Sequence, residues 1–476
     1  MSGEKVEKKK ISPSLIIAVI IIIVLLAALV YYATLPPRVE IVPTTIVQTA
    51  LRTETLPGTT IVRTEERTVV TTLPPTKPPV TLRFWCDKIG WVSRYKELFK
   101  EFEQKTGIKV EVTGYYDIDA YIATIKTLGG GPEAPDVFTW WTGKTLEELI
   151  GMGILMDVGP AWDANPGYMK GARDMVTYNG KTYAVVNCIN NWVVVYDKSC
   201  FEKIGAKPPK TWDEFIKICE DLKKAGIIPF ANGWASWQGF IFPTEILVRM
   251  YPDYYEDLNA GKASYTDPKM KEALQLMADM GKEGYFGDID YVLSLASPTE
   301  VPTSVKMLAE DKAAMIYYGD WIASFLKSEG YTDWGMFILP NINPKLDKQS
   351  LIIELGPIVA NKGTPHPEET MEFLKWWMSP ETIEKWCKAM DFVPWNEKVS
   401  TAFLPEPIQN ILKIVAETKP RAILRYWEAA PTKEFNVRDK FISAAQEILK
   451  HPEKIDSLMA EVEELNKAYW AKYGKG

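Results

Sequence analysis

The chain has 476 residues, an apolar fraction of 46% and a formal net charge of −7 at pH 7. This length allows roughly two or three ordinary domains with sizeable hydrophobic cores. The mild acidic excess gives no basis for nucleic-acid binding, because phosphate neutralisation requires a surface of clustered Lys and Arg.

The N-terminus predicts a membrane anchor. Residues 1–10 contain four lysines, and the uncharged run Leu15–Ala33 is long enough to cross a bilayer as one helix. The lysines favour a cytoplasmic N-terminus, which places the remaining chain outside the cell. A cleaved signal peptide is the alternative, but Tyr31-Tyr32-Ala33 is a poor cleavage sequence. We therefore expect residues 1–10 to be a cytoplasmic tail and residues 11–33 to be a retained single-pass anchor.

Residues 34–80 are rich in Thr, Pro and Val and contain no aromatic residue. Such a segment has too little apolar surface to fold alone, and its prolines keep it extended. We expect a disordered stalk. Dense Thr with Pro also suits O-glycosylation, and an unmodified linker is the alternative.

Cysteine and histidine usage argues against a metal site. No C-x-x-C pair occurs, and His366 and His451 are the only histidines, so a structural zinc is not expected. No cofactor is expected either. A disulfide between Cys188 and Cys200 is one hypothesis, and buried free thiols are the other.

After the stalk, the pattern indicates a strand, a helix and a second strand. Thr81–Trp85 is strand-like, and the next helix places an apolar face at Tyr95, Leu98, Phe99 and Phe102. Gly107 ends the helix, and the alternation from Ile108 to Val112 predicts another strand. This order favours a parallel α/β sheet.

A further helix at Tyr121–Leu128 precedes a strand within Pro135–Trp141. Ligands of open α/β sheets bind at the carboxyl ends of strands. Trp140 and Trp141 follow such an end, so we expect them near a ligand.

The stretch Tyr183–Phe215 contains two strand-like runs, Tyr183–Val186 and Trp192–Tyr196, with the polar run Asn187–Asn191 between them. We interpret it as the chain leaving one lobe, crossing a cleft and entering another. Thr211 to Glu214 has the spacing of a helix capping box.

Five segments in this order resemble the extracellular solute-binding proteins of sugar ABC transporters, the maltose-binding-protein-like family: FEQKTGIKVEV (102–112), APDVFTWW (134–141), the 183–215 stretch, DKAAMIYYGDWIASF (311–325) and HPEETMEFLKWWMSPETIEKWC (366–387). The resemblance extends from about residue 81 to the C-terminus, and the stalk with its helix is similar to archaeal members.

This resemblance implies a two-lobed α/β Venus-flytrap fold with three chain crossings. A carbohydrate would bind between the lobes and pass to a membrane permease. Gly143-Lys144-Thr145 is not a phosphate-binding loop, because Phe138 stands where the first glycine is required, so we expect the ATPase on a separate chain. The expected N-terminal lobe comprises residues 81–190 and 351–390, and the expected C-terminal lobe comprises residues 191–350 and 391–476. The second crossing would be formed by Leu351–Glu354 and Pro357–Ala360, and the third by Phe392–Trp395.

Sugars present apolar faces ringed by hydroxyls, so their sites need flat aromatic surfaces and polar hydrogen-bonding groups. Five tryptophans are candidate ligand contacts: Trp141, Trp234, Trp237, Trp321 and Trp427. Four others lie within helix patterns and are expected to pack in the lobes: Trp212, Trp376, Trp377 and Trp386.

Five polar residues complete the candidate site. Asp87 and Lys88 match, by position, the sugar-contacting loop of the family; Asn190 and Asn191 lie in the first crossing and Glu354 in the second. The alternatives are capping or hinge roles for the carboxylates and turn formation for the asparagines. For Asp320, helix capping is favoured over ligand contact.

We expect no catalytic residue. The rival class is a cell-surface glycoside hydrolase that uses paired carboxylates such as Asp87 and Glu354. A structural surface protein is a third class, but it does not explain the aromatic residues at strand ends.

Overall fold

The computed structural model describes residues 45–56, 59–70, 79–169, 171–295 and 303–474. The chain divides into two compact units, residues 1–78 and residues 79–476. The predicted cytoplasmic tail and membrane anchor lie outside the described residues. Among the helices that are described, none has both the length and the apolar character needed to cross a membrane.

In the first unit, strands β1 (Thr45–Leu56) and β2 (Thr59–Val70) pair antiparallel along their whole length, from Thr45 opposite Val70 to Leu56 opposite Thr59. The expectation of a disordered stalk is therefore wrong for these residues. The prolines that suggested disorder fall outside both runs, and the runs themselves are rich in Thr and Val, which favour extended strands.

The second unit begins with the predicted βαβ element. Strand β3 (Thr81–Cys86) and strand β4 (Lys109–Gly114) pair in parallel, with helix α1 (Val92–Thr106) between them. The helix buries the predicted face and ends at Gly107, whose φ of 74° is easily adopted only by glycine.

The central sheet has nine strands of mixed direction. Its remaining members are β5 (Val137–Thr139), β8 (Val185–Asp197), β9 (Ile228–Phe230), β10 (Ala313–Gly319), β11 (Trp334–Phe337), β12 (Ser350–Ala360) and β13 (Arg421–Leu424). The order is β4-β3-β5-β12-β8-β10-β9, with β11 beside β8 and β13 beside β12. A small separate hairpin is formed by β6 (Thr177–Tyr178) and β7 (Lys181–Thr182).

Strand β8 corrects our interpretation of the 183–215 stretch. The polar run 187–191 does not interrupt the strand, which continues for 13 residues. Asn187 and Asn190 are buried, and the hydroxyl of Tyr95 donates to Asn187 Oδ1 at 3.0 Å, so this polar run is accommodated inside the sheet. The strand changes partners instead: Val185–Asn191 pairs with β12, whereas Trp192–Tyr196 pairs with β10.

The other proposed crossings also differ in local structure. Leu351–Glu354 and Pro357–Ala360 belong to the single strand β12, with a register shift between Gly356 and Pro357. Residues 392–395 lie in a loop without strand pairing among the described residues.

The helices that follow α1 lie between and after these strands, with the longest uninterrupted run of helices between β9 and β10. In chain order they are α2 (Ile118–Leu128), α3 (Lys144–Gly151), α4 (Gly159–Asp163), α5 (Lys198–Lys203), α6 (Trp212–Lys224), α7 (Ile241–Met250), α8 (Pro252–Asn259), α9 (Pro268–Lys282), α10 (Ile289–Ser294), α11 (Thr303–Ala309), α12 (Ile322–Ser328), α13 (Pro367–Trp377), α14 (Pro380–Met390), α15 (Glu406–Thr418), α16 (Tyr426–Ala429), α17 (Val437–Lys450) and α18 (Ile455–Tyr473). The predicted capping box is confirmed, because Thr211 Oγ1 accepts from the Glu214 amide at 3.2 Å and the Glu214 carboxylate accepts from the Thr211 amide at 3.3 Å.

All five cysteines are buried free thiols. The Cys188–Cys200 disulfide is therefore wrong. Cys188 lies in β8, and nine further strand residues carry the chain about 30 Å away before α5 begins, whereas a disulfide needs Cα atoms within about 7 Å.

Candidate functional site

The central cavity lies where several strands of the sheet end. Its empty volume is about 890 Å³, including the part that is open to solvent. Its lining residues are Asp87, Lys88, Ile89, Gly90, Trp91, Tyr115, Tyr116, Ile118, Trp141, Asn190, Trp237, Tyr318, Trp321, Phe325, Glu354, Arg425 and Trp427. This is the location at which open α/β sheets bind ligands.

The cavity brings together eight of the ten predicted site residues. Asp87 and Lys88 follow β3, Trp141 follows β5, and Trp321 follows β10. Asn190 and Glu354 lie directly opposite each other on β8 and β12. Trp237 lies in a short 3₁₀ turn before α7, and Trp427 lies in α16 after β13.

Trp234 is not brought to the central cavity. Its side chain is fully buried, and its ring stacks on Phe242 with centroids 5.6 Å apart and contacts Phe286 at 5.1 Å. The chain after β9 turns this indole into the hydrophobic core. Packing in the core, rather than ligand contact, is therefore the role that its contacts support.

Asn191 does not line the cavity either. Its side-chain amide donates to Asp320 Oδ2 at 3.0 Å, and its backbone amide donates to the same oxygen at 3.1 Å. The capping interpretation of Asp320 is wrong, since α12 has no side-chain cap at its N-terminus. Burial raises the pKa of Asp320 to about 7, although the hydrogen bonds from Asn191 lower it.

Asp87 is held on two sides. Thr139 Oγ1 donates to Asp87 Oδ1 at 2.5 Å, and Lys88 Nζ lies 2.7 Å from Asp87 Oδ2. Lys88 Nζ also lies 5.4 Å from the ring centroid of Trp91 and 5.5 Å from that of Trp141. Burial has the largest single effect and lowers the pKa of Lys88, but the charge of Asp87, its hydrogen bond and the neighbouring Cys86 and Cys188 together outweigh burial, so the pKa is raised overall. The ammonium group therefore stays charged.

Glu354 belongs to a buried charge cluster. Arg425 Nη1 lies 2.9 Å from Glu354 Oε2, and Trp192 Nε1 donates to the same oxygen at 3.3 Å. Arg425 also binds Glu428 through two parallel hydrogen bonds of 2.9 and 2.8 Å. Burial raises the pKa of Glu428, although the charge of Arg425 lowers it. One guanidinium thus contacts two carboxyl groups in this cluster.

Aromatic rings form much of the remaining wall. Trp141 and Trp427 meet edge to face with centroids 5.9 Å apart, and Trp321 lies 5.2 Å from Tyr318, which in turn lies 5.9 Å from Trp237. Broad aromatic surfaces beside charged and amide groups can bind a ligand that has both apolar faces and hydroxyl groups.

Two cavity residues also carry buried polar atoms that lack a hydrogen-bond partner among the described residues. Asn190 Oδ1 is an acceptor and Trp427 Nε1 is a donor. Unpaired buried polar atoms are costly, and they also occur away from the cavity, as at Trp234 Nε1. In the described ranges no group of three or more His, Cys, Asp or Glu side chains is arranged to hold a metal ion.

Sequence reasoning missed several lining residues. Tyr115 and Tyr116 directly follow β4, so the strand-end rule that identified Trp141 could also have identified them. Arg425 gave no such signal, because β13 has four residues and is recognisable only by its pairing with β12.

The mixed sheet, flanking helices and strand-end cavity agree with the two-domain α/β solute-binding protein fold, which is the fold of solved structures that match this chain with TM-scores of 0.71 and 0.65. Residues 97–411, more than half of the chain, match the sequence family of bacterial extracellular solute-binding proteins. The chain belongs to this family.

Individual relatives agree with the family assignment. An uncharacterized ABC transporter extracellular-binding protein of Pyrococcus horikoshii is 26% identical over 384 residues, covering 78% of this chain and 84% of the relative. The diacetylchitobiose binding protein of Streptomyces coelicolor is 24% identical over 308 residues, covering 60% of this chain and 62% of the relative. A solved structure of a chitin oligosaccharide binding protein has a TM-score of 0.72 at 20% identity, covering 82% of this chain and 99% of that one.

Proposed function

We propose that this chain is the extracellular carbohydrate-binding subunit of an ABC importer. It captures a mono- or oligosaccharide in the central cavity and delivers it to a membrane permease, whose ATPase is a separate chain. The observation that carries this proposal is the meeting of Trp141, Trp237, Trp321 and Trp427 with Asp87, Lys88, Asn190 and Glu354 around one cavity. The diacetylchitobiose-binding relative and the solved structure of a chitin oligosaccharide binding protein support the same ligand class.

The proposed lobes are residues 81–190 with 351–390 and residues 191–350 with 391–476. The partner change of β8 at residues 191 and 192 supports this boundary. Both lobes contribute cavity residues, such as Trp141 from the first and Trp321 from the second. A ligand that contacts both lobes favours the closed arrangement, because those contacts are complete only after closure.

The family is extracellular by its description, and the N-terminal sequence supports a tether. We propose residues 1–10 as a cytoplasmic tail and residues 11–33 as a single transmembrane helix. This arrangement keeps the binding unit near the permease.

The contacts of the two cavity carboxylates favour binding over hydrolysis. Asp87 is paired with Lys88, and Glu354 is paired with Arg425. A glycoside hydrolase needs one carboxyl group as a proton donor to the substrate and the other as a base or nucleophile, whereas each of these two carboxylates is already engaged by a neighbouring cation.

The experiment is a thermal-shift screen of the full chain with mono- and oligosaccharides, followed by product analysis of each mixture. A ligand that binds only the folded state raises Tm. We expect at least one saccharide to raise Tm and to be recovered intact. Absence of any saccharide-dependent shift, or recovery of cleaved sugar, would contradict the proposal.

A further inference from the structure

A second cavity, which we call the outer cavity, adjoins the central one. Its empty volume is about 920 Å³, including the part that is open to solvent. Its lining residues are Ile89, Gly90, Trp91, Val92, Ser93, Arg94, Lys96, Tyr116, Ser324, Phe325 and Ser328. Five of these also line the central cavity: Ile89, Gly90, Trp91, Tyr116 and Phe325. A ligand longer than the central cavity can therefore continue into the outer one.

The outer cavity has an unbalanced charge. Arg94 and Lys96 are its charged lining residues, and no carboxylate lines it, although the chain as a whole has a net charge of −7. Neither cation forms an ion pair within the described part of the chain; Arg94 Nη1 donates to the carbonyl oxygen of Gly90 at 3.3 Å. The central cavity differs in this respect, since Lys88 and Arg425 are each paired with a carboxylate.

Helix stability does not account for these two cations. Arg94 and Lys96 lie near the N-terminus of α1, whose first turn contains no acidic residue. The helix dipole makes positive side chains unfavourable at this end and negative groups favourable. An anion in the outer cavity would remove this repulsion and would also be attracted by the side-chain charges.

The polar groups in the cavity suit an oxyanion. Arg94 offers a planar set of donors that matches carboxylate, sulfate and phosphate, and Lys96 adds a second positive charge. Ser93 adds a hydroxyl donor to the same lining, whereas the hydroxyls of Ser324 and Ser328 already donate to the carbonyl oxygens of Trp321 and Phe325. Tyr116, which is 63% exposed, provides an aromatic surface shared by both cavities.

We infer that the outer cavity binds an anionic group on an oligosaccharide whose neighbouring units occupy the central cavity. The anionic group is a carboxylate, as in a uronic acid, or a sulfate or phosphate ester. This inference rests on the proposed carbohydrate-binding function and narrows its substrate class to acidic oligosaccharides. The shared lining residues favour this source of the anion over a free inorganic one.

The test is calorimetric titration of the full chain with matched trisaccharides. Each pair has one backbone and differs in charge: cellotriuronic acid with cellotriose, and trigalacturonic acid with its methyl ester. The panel also includes sulfated and phosphorylated trisaccharides with their neutral forms. We expect at least one acidic member to bind about tenfold or more tightly than its neutral partner, since hydrogen bonds to charged groups have this magnitude. The difference should shrink with added salt.

Two variants locate the effect. Arg94→Gln and Lys96→Gln should each reduce the acidic preference while leaving affinity for the neutral partner unchanged. Lys100→Gln is the matched control, because Lys100 lies on the same helix but is paired with Glu97 outside the cavity. It should leave the preference intact.

Each contrary outcome has a distinct meaning. If neutral sugars bind and no acidic member is preferred, or if the preference survives both substitutions, the inference is wrong while the proposed function stands. Binding of inorganic phosphate alone, without an acidic-saccharide preference, would assign the site to a free anion and also overturn the inference. If no saccharide of the panel binds, the inference is wrong, and the proposed function fails as well only if the thermal-shift screen finds no saccharide that raises Tm.

Discussion

Gly143 packs directly against the backbone carbonyl of Glu428. Its φ is 64°, and a Cβ placed on it would overlap the carbonyl oxygen and lie 2.9 Å from the carbonyl carbon. Gly143 belongs to the loop between β5 and α3, and Glu428 belongs to α16. In the proposed lobe assignment these segments lie on opposite lobes, so no side chain fits at this contact when the lobes are closed.

We expect Gly143→Ala to weaken saccharide binding by opposing closure. Alanine at a positive φ also strains the backbone, so the variant loses some stability for a second reason. Gly153→Ala separates the two effects, because Gly153 has a similar φ of 72° and a Cβ added there would have no atom within 4 Å. Backbone strain should lower the free energy of unfolding of both variants in denaturant. Only Gly143→Ala should lose affinity when the variants are titrated with a saccharide. Equal affinities would contradict a closure contact at this position.

Trp321→Ala should weaken saccharide binding by about 1–3 kcal/mol, if stacking of a base on an aromatic ring is a fair guide to stacking of a sugar. The indole lines the central cavity and packs edge to face on Trp192 at 5.2 Å. Affinity is measured by titration with a saccharide found in the thermal-shift screen. An unchanged titration curve would remove Trp321 from the proposed site.

Trp234→Ala provides the matched comparison. Because Trp234 is fully buried against Phe242 and Phe286 and lies outside the central cavity, its loss leaves a void in the core. We expect the free energy of unfolding to fall by about 3–5 kcal/mol. In the folded fraction, affinity should be nearly that of the parent chain. A large loss of affinity with little loss of stability would restore Trp234 to the binding site.

These two tryptophans show what the sequence could and could not predict. Both follow strands, β10 and β9, so the strand-end rule treated them alike. Their positions depend on the direction of the following turn and on partners far along the chain, such as Phe286 for Trp234 and Trp192 for Trp321. Local pattern places a residue at the end of a strand, but it does not determine which side of that end the side chain occupies.

Strand β8 gives the same lesson for the fold. Strong periodicity predicted β3, α1 and β4 correctly, because their apolar faces are evident in the sequence. The run 187–191 is polar, yet it forms part of a buried strand. Its polar side chains find hydrogen-bond partners far along the chain, as Asn187 does with Tyr95. Local composition cannot predict hydrogen bonds between residues that are so far apart in the chain.

Arg425→Ala should destabilise the chain strongly. The guanidinium is the cation shared by Glu354 and Glu428, and both carboxyl groups are buried. Removing one partner of a buried ion pair costs about 3–5 kcal/mol, because a charge remains uncompensated. The double variant Arg425→Ala with Glu428→Gln should recover part of this loss in urea unfolding. Equal stabilities of the single and double variants would show that the charge of Glu428 is not the cause.

The stability contribution of Asp320 should depend on pH. Its pKa in the folded chain is raised to about 7 from an ordinary value of 3.8, chiefly by burial, so the folded state holds a proton that the unfolded state releases. The contribution is therefore fully present below about pH 4 and is lost as pH rises through about 7, with a slope of at most about 1.4 kcal/mol per pH unit.

Asp320→Asn tests this slope, because the amide oxygen can still accept from Asn191 while the titration is removed. Unfolding free energies measured between pH 4 and pH 8 should fall less steeply in the variant than in the parent chain. Asp213→Asn, at the exposed start of α6, serves as the control and should leave the parent slope unchanged. Superimposable pH profiles for Asp320→Asn and the parent chain would contradict the raised pKa.

The five cysteines should be unreactive in the folded chain. The thiolate is the nucleophilic form, and burial raises the pKa of Cys86 and of Cys188 to about 12, so little thiolate exists at neutral pH. Mixing the native chain with a chromogenic disulfide reagent should release almost no thiol product, whereas denaturant should release five equivalents. A Ser400→Cys variant, which places a thiol at an exposed position, should react rapidly by one equivalent without denaturant. Rapid labelling of the parent chain would contradict burial of its thiols, and only three equivalents after denaturation would reveal a disulfide.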